Sequence, residues 1–143
     1  MIAVIDYGAG NLFSVCNALR YLQLPHVISR DAAEIAAADG IILPGVGAFA
    51  DAMEKLTATG LVDLLKQEAE RKPFLGICLG HQLLFEEGQE FGITPGLGLL
   101  PGVVRELDAK GQKLPHIGWN TARKLHDCPL TDGIADDLSL IHI

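Results

Sequence analysis

The stretch Pro73-Phe74-Leu75-Gly76-Ile77-Cys78-Leu79-Gly80 says most about how this chain folds. Residues 73–77 form a short apolar run that reads as a strand. A glycine-flanked turn follows, and a helix is predicted from about Leu79 to Glu87. Upstream, helical stretches over Ala48–Thr59 and Leu61–Arg71 are divided by Gly60. Before them the apolar run Gly40–Leu43 ends in Pro44-Gly45-Val46-Gly47, a second strand closed by a glycine loop. Asp31 is placed to cap an Ala-rich helix to Ala38, and His26–Ser29 reads as a strand. Asn11 is placed to cap a helix to Leu22, with Leu12, Val15, Leu19 and Leu22 on one face. Met1–Asp6 is a β-branched strand running into Tyr7-Gly8-Ala9-Gly10. Beyond Gly88 the texture turns Gly/Pro-rich, with strand candidates at Val103–Leu107, Ile117–Asn120 and Leu138–Ile143.

Strands alternating with helices at this spacing predict an α/β domain with a doubly wound, mostly parallel sheet and helices on both faces. Its length of 143 residues fits one domain over residues 1–143. Ligands in such sheets sit at the carboxyl ends of the strands. Three glycine loops lie at such ends, Gly8–Gly10, Gly45–Gly47 and Gly76–Gly80.

Composition narrows the function classes. Hydrophobic residues make up 49% of the chain, enough for one sizeable core and too many for a disordered tail. Eleven Lys and Arg against eighteen Asp and Glu give a net charge of -7, a poor match to nucleic acid or anionic membrane. Every apolar stretch is interrupted well before the roughly 18 residues a membrane span needs. Asp6 cuts the apolar start short, with no basic segment ahead of it, so no secretory signal is expected. Three widely spaced cysteines, Cys16, Cys78 and Cys128, form no zinc-type cluster and suit a reduced, cytoplasmic protein without a metal.

Gly76-Ile77-Cys78-Leu79-Gly80 has the form of a nucleophile elbow, which needs small neighbours because the nucleophile's own backbone is strained. A helix starting at Leu79 favours thiolate at Cys78. The plainer alternative is a buried cysteine beside packing glycines. Gly45-x-Gly47-x-x-Ala50 resembles a dinucleotide fingerprint on paper, but the acidic residue expected roughly 20 positions on falls inside a helix. A loop of Gly45, Val46 and Gly47 giving backbone N–H groups to an oxyanion, beside the N–H of Leu79, fits better; a plain turn is the alternative. His81 reads as a packing residue, since the elbow aims the thiol away from the helix body. His26, His116 and His126 read as structural or solvated, and Glu86, Glu87 and Glu90 as a solvated helix end.

Together these residues resemble the class I glutamine amidotransferases. Gly76-Ile77-Cys78-Leu79-Gly80-His81-Gln82-Leu83-Leu84 is similar to their nucleophile segment. The likeness narrows to the branch of glutaminase subunits that serve a cyclase in histidine biosynthesis. Ile5-Asp6-Tyr7-Gly8-Ala9-Gly10-Asn11 is similar to that branch's opening, and Leu43-Pro44-Gly45-Val46-Gly47-Ala48-Phe49 to its oxyanion loop. Gly96-Leu97-Gly98-Leu99-Leu100-Pro101-Gly102 and Pro115-His116-Ile117-Gly118-Trp119-Asn120 resemble two further segments.

The resemblance implies a flavodoxin-like fold and a catalytic Cys78 that attacks the side-chain amide of glutamine. It implies that Gln82 helps hold the substrate. Ammonia would pass to a (β/α)8-barrel cyclase subunit in a heterodimer, for imidazole glycerol phosphate synthesis, with Asn11, Trp119 and Asn120 facing that partner. It implies no cofactor. Two departures stand out. His81, a residue that other class I glutaminases share, occupies a place where many members of this branch carry Met. None of the five histidines is followed by Glu at the second position, so the family's His-x-Glu base pair is missing from these 143 residues. The chain is therefore expected to be C-terminally incomplete and to have little or no activity alone. A non-catalytic partner-binding subunit and a glutaminase of a different class I enzyme are the alternative readings.

Overall fold

Alternation along the first strand sets the architecture. In β1 (Ile2–Ile5), Ala3 and Ile5 point to one side and Val4 to the other, and all three are fully buried. The computed structural model describes residues 1–111, 113–115, 117–134 and 139–142, and these form two compact units, Met1–Glu106 and Leu107–Ile143.

In the first unit β1 is followed by α1 (Leu12–Tyr21), β2 (His26–Ser29), α2 (Ala32–Ala37) and β3 (Gly40–Gly45). Then come α3 (Phe49–Ala58), α4 (Val62–Ala69), β4 (Phe74–Cys78) and the single turn α5 (Leu79–Gln82). The strands pair in parallel in the order β2-β1-β3-β4. That order is the flavodoxin-like doubly wound arrangement, with its switch point between β1 and β3.

Ala3, Ile5, Ile41 and Leu43 pack with Ile35 of α2, Phe49 and Leu56 of α3 and Leu65 of α4. Val4 and Ile42, one step out of phase, pack with Cys16 and Leu19 of α1. Helices therefore lie on both faces, as the continuous apolar strands require. The Asn11 and Asp31 side chains cap α1 and α2, accepting from Ser14 N at 3.0 Å and from Ala33 N and Glu34 N at 2.9 and 3.0 Å.

The region after α5 departs from the sequence reading. The expected helix to Glu87 stops at Gln82, and Phe85–Gly88 is a strand, β5. It pairs antiparallel with β6 (Thr94–Pro95) and in parallel with β7 (Leu100–Val104). The pairing with these two strands takes the backbone hydrogen bonds a helix would have used, and at the strand's end Gly88 packs on Phe49, where a Cβ would lie 2.5–2.7 Å from the ring. Strand β7 starts earlier than the expected Val103 and includes Pro101, which an edge strand tolerates.

In the second unit β8 (Gly118–Thr121) pairs antiparallel with β9 (Ser139–His142); β8 lies one residue beyond the expected Ile117–Asn120, and β9 falls within the expected Leu138–Ile143. A 3-10 turn lies at Pro129–Thr131. His116, Leu138 and Ile143 lie outside the described residues. Among the described residues no helix is long and apolar enough to cross a membrane.

Candidate active site

Strand β4 ends on Cys78, whose backbone turns to φ 55° and ψ -118°. A residue with a side chain pays about 1–3 kcal/mol for such a region, so its surroundings must hold it there. Glycines let the backbones close around it. A Cβ on Gly80 would fall on the Leu43 carbonyl oxygen, and one on Gly45 would lie 2.5 Å from Gly80 N and 2.9 Å from Leu79 Cβ. In register, Gly45 stands opposite Cys78. The end of β3 and the turn after β4 are thus packed backbone to backbone. Leu79 and Gly80 are buried while the Cys78 thiol is exposed. The His81 ring meets Phe85 edge-on with centroids 5.4 Å apart. Helix α5 spans four residues, so the long helix dipole expected behind Cys78 is reduced to one turn.

The Gly45–Gly47 loop is anchored at both ends and open between them. Gly45 is buried, whereas Val46 is 55% exposed and Gly47 sits at φ 103° with open space around its α-carbon. On one side the buried Tyr7 hydroxyl donates to Pro44 O at 2.8 Å. Burial pushes this phenol up to about 12, so it stays a donor through the neutral range. On the other side Phe49 N donates to a Glu90 carboxylate oxygen at 2.8 Å, at the start of α3. Glu86 likewise accepts from Gly102 N at 2.8 Å. Glu86 and Glu90 are therefore acceptors for distant backbone rather than a solvated helix end.

Beside the loop lies a cavity of about 580 Å³ lined by Gly47, Gln82, Gln89, Glu90, Arg105 and Glu106, with Phe91 and Val104. The structure thus brings Gly45, Cys78 and Leu79 together, and brings Gly47 and Gln82 together at the cavity. Cys78, Gly45, Val46 and Leu79 are not among its described lining residues. Asn11 is engaged in capping α1. Trp119 and Asn120 lie on β8 in the second unit, with the indole exposed. Among the described residues no three His, Cys, Asp or Glu side chains are grouped to hold a metal ion.

Sequence reasoning missed Tyr7 and Glu90. For Tyr7 a signal existed, because a buried tyrosine needs a partner for its hydroxyl. For Glu90 none did, since its partner Phe49 is 41 residues away.

The description "Glutamine amidotransferase class-I" matches residues 3–142 of the chain. The imidazole glycerol phosphate synthase subunit HisH of Bacillus cereus (strain G9842) is 52% identical over 137 residues, 95% of this chain and 65% of that protein. The subunit of the same name from Desulfitobacterium hafniense is 54% identical over 138 residues, 96% of this chain and 65% of that protein. The chain thus spans about 65% of the length of these curated relatives. A crystal structure described as a glutamine amidotransferase superposes with a TM-score of 0.67 at 20% identity, over 85% of this chain and 64% of that one. At that identity the superposition speaks for the fold alone. The match over nearly the whole chain settles the family: this protein belongs to the class-I glutamine amidotransferases.

Proposed function

We propose that residues 1–143 carry the nucleophile part of one glutaminase domain whose ammonia feeds imidazole glycerol phosphate synthesis. The strained Cys78 turn carries this reading, since a side chain is held at φ 55° and left exposed between backbones that Gly45 and Gly80 allow to pack closely. In the proposed reaction Cys78 Sγ attacks the side-chain amide carbon of glutamine. The S–C bond forms, the C–N bond breaks, and the thiol proton leaves with ammonia. Water then opens the thioester to glutamate and restores the thiol. Backbone N–H groups of the Gly45–Gly47 loop and of Leu79 stabilise the intermediate oxyanion. Gln82 holds the substrate, and Glu90, Glu106 and Arg105 offer the cavity charges of both signs, suited to an α-ammonium and an α-carboxylate.

The names of the relatives support a partner subunit. We assign that role to a (β/α)8-barrel cyclase in a heterodimer, met by Asn11, Trp119 and Asn120. No cofactor or metal takes part in this reading. Three free cysteines accord with a cytoplasmic location. With no His-x-Glu pair among the 143 residues, the chain by itself is expected to turn over glutamine slowly or not at all.

The test is alkylation by L-2-amino-4-oxo-5-chloropentanoate, a chloroketone shaped like glutamine, followed by peptide mass spectrometry. Cys78 is expected to react faster than Cys128, which is also exposed, and glutamine to slow it. Equal rates at the two cysteines, or no protection by glutamine, would overturn the proposal.

A further inference from the structure

The switch point between β1 and β3 is bridged by a side chain. Ladder pairing of these strands ends at Val4 with Ile42. Beyond it the Tyr7 hydroxyl reaches across and donates to Pro44 O at 2.8 Å, in a buried setting. The approach is close elsewhere too, since a Cβ on Gly10 would lie 3.0 Å from Pro44 Cβ and 3.4 Å from Gly45 N. Pro44 C=O and Gly45 N–H belong to one planar peptide, so fixing the carbonyl fixes the N–H in the opposite direction. That same Gly45 is pressed against Gly80 and Leu79 at the elbow. Only the next two peptides, around the exposed Val46 and the unobstructed Gly47, are left free to turn.

We propose that Tyr7 is a positioning residue for the reaction, setting through Pro44 the orientation from which the Gly45–Gly47 loop addresses the carbonyl oxygen attacked by Cys78. This rests on the glutaminase reading above. Tyr7 touches no reacting atom; it acts through one backbone carbonyl. Its removal therefore spares the thiol and weakens only chemistry that needs the carbonyl oxygen polarised.

Two probes separate these effects in the 143-residue chain. Methyl methanethiosulfonate has no carbonyl group: the thiolate displaces methanesulfinate, the S–S bond to the methylthio group forms, and the proton goes to solvent. The chloroketone has one: the thiolate forms an S–C bond, chloride leaves with the bonding pair, and a polarised ketone speeds the step. In Tyr7→Phe the chloroketone rate at Cys78 is expected to fall about tenfold, short of the roughly 10²–10³ lost when an oxyanion donor is deleted. The methanethiosulfonate rate should stay within about twofold. Restoring a donor with 4-aminophenylalanine at position 7 should return the chloroketone rate.

An unchanged chloroketone rate, or an equal fall with both probes in folded protein, would overturn the inference. Folding is read from Cys16, which is 1% exposed and expected to stay unlabelled while α1 stays docked. If Tyr7→Phe makes Cys16 react, 4-fluorophenylalanine fills the hydroxyl's space without donating and takes its place. Failure of the glutaminase reading looks different: the unaltered chain would then show no glutamine-protected chloroketone reaction at all.

Discussion

The two units use similar residues to opposite ends. In Met1–Glu106, Ile5, Ile35, Leu43, Phe49, Leu56 and Leu65 are buried almost completely. In Leu107–Ile143, Leu107, Ile117, Trp119, Leu125 and Leu130 are exposed, from 64% for Ile117 to 77% for Leu125 and Leu130. Apolar character alone does not make a core. In the first unit the apolar residues of the inner strands β1 and β3 meet helices on both faces, although Leu75 and Ile77 of the outer strand β4 and Phe13, Tyr21 and Phe91 are exposed. In the second they are scattered among Gly, Pro and charges around one two-stranded pair, an arrangement marginal by itself in water.

Substitutions in the two units should therefore differ sharply. The largest effect is expected from Phe49→Ala, which empties a site between α3 and Gly88 and should lower stability by about 4 kcal/mol in urea unfolding. A loss below about 1 kcal/mol would mean that the Phe49 pocket collapses freely and that the first unit is not tightly packed. Next comes Gly80→Ala. Its Cβ meets the Leu43 carbonyl, so the elbow must shift, at a cost of about 3 kcal/mol by the same unfolding measurement. Chloroketone labelling of Cys78 should fall with it. Smallest is Trp119→Ala, which should change stability by no more than about 0.5 kcal/mol. A loss above about 1 kcal/mol there would break the contrast, by showing that an exposed indole still carries folding energy.

The same contrast governs how much could be read from the sequence. Strands β1 and β3 were legible because Ile2–Ile5 and Gly40–Leu43 are continuous apolar runs closed by glycines. The caps Asn11 and Asp31 were legible because their partners lie two or three residues away. Phe85–Glu87 reads as the end of a helix because Glu86 and Glu87 carry no strand signal, and their strand partners lie at Thr94–Pro95 and Leu100–Val104. At the site, Cys78 and its glycines were visible as a local pattern. The two anchors of the loop, Tyr7 on Pro44 and Glu90 on Phe49, were not, because each joins residues about forty positions apart.

The backbone of Cys78 also bears on how such a chain ages in evolution. At φ 55° a side chain is tolerated at a cost that glycine does not incur. Selection for reactivity and selection for stability therefore oppose each other at a single dihedral angle. A lineage that stopped using the thiol would gain stability by losing it, and glycine at position 78 would be the mark left by abandoned chemistry.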